Sequence, residues 1–235
     1  MDTPQIMAEL EKLGNDQTKK TLMRHGAVEP IFGVKIGDTK PLQKKYKKDH
    51  AQALELYATG NSDAMYLAGL IADESKVTKA ELNRWAKEAS WGLIANSVVA
   101  ALAAESPHAV AVASKWVDSK KELIASAGWT TLAHYVSVTD DAEIDGGLLE
   151  DYLKRATSEI HDQADIVKAA MNGYIISLGS YYGKLTKKVK AAAKKIGIVE
   201  VDHGNTACKT PDIIATVEKI EGMGRIGKKR KAARC

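Results

Sequence analysis

The residues able to do chemistry fall into three groups. The first is a set of four tryptophans, Trp85, Trp91, Trp116 and Trp129, all within residues 81–138. Indoles on a wall of helices either anchor a core or line a groove that grips a flat or cationic ligand. For Trp91 and Trp129 core packing is at least as good a reading as ligand contact. The second group is basic: the runs 40–48, 184–195 and 224–235. One such run is usually a solvated helix face, but three suit a polyanion with a phosphate backbone. Candidate phosphate contacts are Lys44, Lys45, Lys187, Lys188, Lys228, Lys229 and Arg230. The third group is mixed. Asp202, His203 and Cys208 share a short stretch, but three unlike ligands do not make a structural metal pattern. No metal is expected there, and Cys208 reads as a small buried residue. His134 and His161 stand alone and read as core or surface histidines rather than bases. The chain has no phosphate loop, glycine-rich dinucleotide turn or CxxC pair, so no cofactor is expected.

The bulk composition sets the frame that must position these groups. The chain has 235 residues, 45% apolar and 27% charged, with one phenylalanine and five prolines. Abundant alanine with few aromatics favours close helix-on-helix packing. The net charge of +4 is uneven: Arg225, Lys228, Lys229, Arg230, Lys231 and Arg234 lie in residues 224–235 with no acid among them, so the remainder is near neutral. Two cysteines, Cys208 and Cys235, cannot build a disulfide framework. No basic start leads into an apolar run, and no apolar stretch is long enough to span a bilayer. The expectation is a cytoplasmic monomer with no membrane association.

Helical periodicity recurs along the chain. Thr3-Pro4 is read as the cap and first turn of a first helix. An irregular, extended passage, Val28–Lys35, must fold back onto helices. A lysine-rich helix follows from Asp38 or Thr39, then helices over 51–58 and 63–72, the second capped by Asn61 or Ser62. The tryptophan block reads as helices over 79–89, 91–104, 108–117 and 120–136. Trp91, Ile94, Val98 and Leu102 form one apolar stripe, and Gly92, Asn96 and Ala103 a second, smaller and partly polar face. Further helices are expected over 148–159, 161–178, 181–196 and 212–221. The pairs recur every thirty to forty residues or so, the range of HEAT or armadillo repeats. Each pair exposes an apolar face that only the next can cover. The expected architecture is all-α, a right-handed α-α superhelix of HEAT/armadillo-like helical repeats. It is expected as a single domain over 1–222, followed by a flexible basic tail over 223–235.

Five stretches carry a family likeness: Gly33-Val34-Lys35 before a basic helix; Asn61–Ala68; Glu88-Ala89-Ser90-Trp91; Lys115-Trp116 before the Leu123–Tyr135 helix; and Val167–Asn172. In that order the chain resembles the AlkD-like DNA alkylation repair family, HEAT-like-repeat DNA glycosylases and their non-catalytic relatives. The likeness covers roughly residues 30–180. Val201–Lys209 with Gly227-Lys228-Lys229 is similar to a subgroup of it. The resemblance implies a curved solenoid holding duplex DNA on a concave basic face. Active members are expected to excise cationic alkylated purines with an acid a few positions after the Ser-Trp pair, neighbouring aromatics and an arginine from the next repeat. A carboxylate there stabilises positive charge building on the sugar, arginine fixes a phosphate, and aromatic faces attract the cationic base.

This chain departs from that pattern at the decisive positions. Ser90 and Trp91 match, but Gly92 stands where a second aromatic belongs, Asn96 at the acid and Ser126 at the arginine. A neutral amide cannot replace a carboxylate, and losing one such term costs roughly a hundredfold to a thousandfold in rate. The resemblance therefore implies double-stranded or branched DNA as partner, with base excision lost or weakened. The groove residues it implies are Lys35, Trp91, Asn96, Ser126, Trp129, Lys168 and Tyr174. Two alternatives stay open. One is an active alkylpurine (3-methyladenine or 7-methylguanine) glycosylase with a relocated acid, Asp63, Glu88 or Glu122. The other is an armadillo-type protein-binding scaffold with structural tryptophans.

Overall fold

Local chemistry sets where the helices begin. In a computed structural model, which describes residues 2–234, thirteen α-helices form and no strand is present among the described residues. Helix α1 (Thr3–Leu13) is capped by Asp2, whose carboxylate accepts from Gln5 N. Thr3 is thus the first helical residue rather than the cap, since the acidic side chain one position earlier reaches the orphan N–H first. Asn15 caps α2 (Asp16–Arg24), Asp49 caps α4 (His50–Ala58) and Asn61 caps α5 (Ser62–Ile71). Thr78 and Glu81 form a reciprocal capping box on α6 (Lys79–Glu88). The lysine-rich helix α3 (Ile36–Tyr46) starts ahead of its expected caps. Lys35 precedes it without a side-chain cap, and the Thr39 hydroxyl donates back to Ile36 O at 2.6 Å.

The expected single domain over 1–222 divides into two compact units. The first holds the chain as far as His108, with residues 204–206 and Arg234. Its centre is α5, in which every residue is buried. Helix α4 packs against α5, and so does the stretch Ile94–Val99. The helix expected over 91–104 is not uniform: Ile94–Val99 is a π-helical turn, continued by α7 (Ala100–Glu105). Gly69 of α5 explains the close fit, because a Cβ there would lie 2.5 Å from a Val98 methyl.

The second unit comprises Ala109–His203 and Ala207–Ala233. Its main contact joins α9 (Glu122–Val138) to α11 (Asp165–Tyr181). Around them lie α8 (Ala109–Trp116), α10 (Gly146–Glu159), α12 (Thr186–Ile196) and α13 (Ile213–Gly222). Gly128 lets α9 touch the end of α8: a Cβ there would sit 2.6 Å from Val117 N. Only small residues permit backbones to approach so closely.

The terminal segment, expected as a flexible tail over 223–235, is hydrogen-bonded to helix ends of the second unit over residues 227–230. Gly227 N donates to Ser180 O (2.8 Å) and Arg230 N to Ser137 O (2.7 Å). The Lys229 ammonium donates to Val136 O and pairs with Asp141, both at 2.9 Å. These carbonyls end α9 and α11, where the last-turn C=O groups have no partner in their own helix and carry partial negative charge. A basic segment suits them, so part of its charge serves helix ends. Cys235 lies outside the described residues.

Candidate nucleic-acid interface

The passage 28–35 is held by one carboxylate. Asp63, at the start of α5 and 5% exposed, accepts from Phe32 N (2.7 Å), Gly33 N (3.0 Å) and Val34 N (3.0 Å). Ser62 N donates to Pro30 O (3.0 Å). Gly33 is needed here: its φ is +84°, and a Cβ would lie 2.6 Å from Asn15 O and Lys19 N. The strap so formed covers α5 and sets Lys35, exposed, at the entrance to α3. Asp63 is thereby accounted for as a structural acceptor. Of the other carboxylates weighed as a relocated acid, Glu88 and Glu122 are exposed, at the end of α6 and the start of α9.

Trp91 is 5% exposed, and its indole N–H donates to the Ser62 hydroxyl at 3.2 Å. Beside it is a narrow apolar cleft edged by Ile31, Val34, Tyr66 and Leu93. The cleft has about 20 Å³ of free space, enough for a single water. It does not accommodate a purine in this conformation. Asn96 lies half-buried in the π-helical turn and Gly92 half-buried at the start of the same helix. Such turns widen the helix and often mark functional positions.

The candidates of the second unit mostly face its interior. Ser126 is 0% exposed, and its hydroxyl donates to Leu123 O of its own helix at 3.1 Å. Trp129, 1% exposed, meets Tyr152 edge-on at 5.8 Å between ring centres and Tyr174 at 5.5 Å. Arg155 lies over the Trp129 ring at 5.8 Å and pairs with Asp118 and Glu159. The expectation that Ser126, Trp129 and Tyr174 line a groove is therefore corrected: all three are core. Burial holds the Tyr174 phenol well above its ordinary pKa, so it stays protonated and donates to Leu149 O at 2.7 Å. Tyr174→Phe is expected to cost about 1 kcal/mol by removing that buried hydrogen bond, and to lower the melting temperature by roughly 2–4 °C in a thermal scan.

The cations divide by partner. Lys45 pairs with Glu9, Lys168 with Asp165 (3.4 Å) and Lys188 with Glu150 (2.7 Å). Lys190, not singled out from the sequence, pairs with Glu218 and Glu221. Lys44 and Lys228 are exposed. On α12, Lys187, Lys194 and Lys195 are exposed and have no acidic partner within ion-pair reach among the described residues. Spacings of seven and eight residues put these three on one side of the helix, opposite buried Val189, Ala193 and Ile196. Lys194 and Lys195 were visible within the basic run, but their freedom from partners depends on where the acids of α10 and α13 fall. His203 Nε2 lies 2.9 Å from the Thr210 hydroxyl, and no group of three His, Cys, Asp or Glu side chains fit to hold a metal occurs among the described residues. No helix there is long and apolar enough to cross a membrane.

The architecture is that of an all-α protein built from HEAT-like helical repeats. The model of the DNA alkylation repair enzyme family matches residues 6–195, and the chain belongs to that family. Uncharacterized protein Lin0241 of Listeria innocua is 33% identical over 221 residues, covering 92% of this chain and 95% of the relative. Uncharacterized protein Lmo0209 of Listeria monocytogenes is 32% identical over the same shares. A solved structure with a TM-score of 0.92 and 38% identity, covering 100% of both chains, is described as representing a new family of proteins related to the HEAT-like repeat DNA glycosylases with affinity for branched DNA structures.

Proposed function

We propose that this protein binds branched DNA and does not excise bases by the carboxylate-and-arginine route. The observation that carries the reading is the full-length likeness, at a TM-score of 0.92, to a protein with affinity for branched DNA structures. Three further features support it. The unpartnered Lys187, Lys194 and Lys195 side of α12 is suited to phosphates. Asn96 cannot supply the charge of a carboxylate. Ser126 is wholly buried, so nothing at that position reaches a phosphate. In this reading the protein acts as a monomer in the cytoplasm, and a junction offers it more phosphates at one place than a linear duplex does.

The test is binding of a four-way junction and a linear duplex of equal length at several salt concentrations, with release of methylated base measured on alkylated duplex. The expected outcome is tighter junction binding that weakens steeply with salt, and no base release. Lys187→Ala/Lys194→Ala/Lys195→Ala is expected to flatten the log–log salt slope by about 0.9 for each duplex phosphate that is no longer neutralised. Base release above background, or equal affinity for junction and duplex, overturns the reading.

A further inference from the structure

A separate site lies in the first unit, at the ends of α5 and α7. We infer that these ends form a guanidinium-selective socket whose resident ligand is the chain's own Arg234. The Arg234 Nη1 donates to Gly69 O (2.9 Å) and Ala72 O (2.7 Å). Nη2 donates to a Glu74 carboxylate oxygen (2.6 Å), and Nε to Glu105 Oε2 (2.6 Å). The backbone N–H of Arg234 donates to the other Glu105 oxygen at 3.1 Å. The Arg234 side chain is 10% exposed and that of Glu105 13%.

Each acceptor has its own reason to want a cation. Gly69 O belongs to the last turn of α5 and Ala72 follows its end, where carbonyls lack intrahelical donors and carry partial negative charge. Glu105 is the last residue of α7. Burial pushes the Glu74 carboxyl up, but hydrogen bonds from Lys48 and Arg234 outweigh it and hold it below its ordinary value. Glu74 is therefore charged at neutral pH. Four acceptor oxygens take up all three guanidinium nitrogens, which matches the rigid fork of a guanidinium and not the single nitrogen of an ammonium. The socket thus discriminates arginine from lysine, in a terminal segment where Lys228, Lys229 and Lys231 stand nearby in sequence. The site does not depend on DNA binding, and its failure leaves the branched-DNA reading intact.

The test uses the full chain and two substitutions, Arg234→Ala and Arg234→Lys. Both are expected to lower the melting temperature by roughly 5 °C or more, with lysine recovering less than half of the loss. Ethylguanidinium added to Arg234→Ala is expected to raise its melting temperature, while ethylammonium does not, and neither raises that of the unaltered protein. A second measurement needs no variant. The Arg234 backbone amide, next to the last residue of the sequence, is expected to show slowed hydrogen exchange because Glu105 accepts from it. The inference is overturned if Arg234→Lys melts like the unaltered protein, if the two small cations act alike, or if that amide exchanges at the rate of a free chain end.

Discussion

Asp63→Ala is expected to lower stability by about 4–6 kcal/mol, and the melting temperature by roughly 10–15 °C. The reason is the density of bonding on one buried carboxylate: three backbone N–H groups at 2.7–3.0 Å. Hydrogen bonds to a charged group contribute about 1.5–3 kcal/mol each, and buried donors left unpaired add a penalty. The three are not additive, since they share one acceptor and one strand of chain. Asp63→Asn keeps a carbonyl oxygen but turns an amide donor toward N–H groups, so about half the loss is expected. Urea titration of both variants reads this directly. The pairing also bears on function: a carboxylate already solvated by three N–H donors has little left to offer a developing cation. Base release by the unaltered protein that Asp63→Asn abolishes at full stability would reverse this assignment and make Asp63 a catalytic acid.

Ser126→Arg is expected to be the most damaging change at a position named by the family likeness. The side chain is 0% exposed and bonds within its own helix. Arginine brings a long stem and a full charge into a position where the serine side chain is wholly buried. Overpacking alone costs about 1–3 kcal/mol, and a buried unpaired charge adds about 3–5 kcal/mol. The expected total is on the order of 5 kcal/mol, enough to leave much of the protein unfolded. Asn96→Asp, half-buried in the π-helical turn, is expected to change stability by about 1 kcal/mol or less. The double variant is therefore not expected to regain base excision, because restoring the residue types does not restore their positions. Circular dichroism and release of methylated base from alkylated duplex check both halves. A folded, base-releasing double variant would show that Ser126 can turn out of the core.

Much of this was legible in the sequence. Apolar spacing marks every long helix, because a side chain's place on a helix repeats every 3.6 residues whatever lies beyond it. The stripe through Trp91, Ile94, Val98 and Leu102 is buried throughout, and the acidic or amide residue before a periodic run caps the helix wherever its side chain reaches an orphan N–H. The family positions Gly92, Asn96 and Ser126 are likewise read from residue type, and with them the doubt about excision.

Tertiary structure decided which way those residues face and which charges are free. Trp129 and Tyr174 could be core or groove from spacing alone; only the packing of α9 on α11 buries both. Asp63 looked like one acid among several, and its role appeared once residues 32–34, some thirty positions away, folded onto it. The basic runs gave charge without direction. Lys188 and Lys190 meet acids from α10 and α13, Lys187 does not, and Arg234 finds two glutamates more than a hundred residues earlier. Helix-forming tendency is local and so is written in the order of residues. Charge pairing and burial depend on partners distant along the chain, and only the folded protein brings them together.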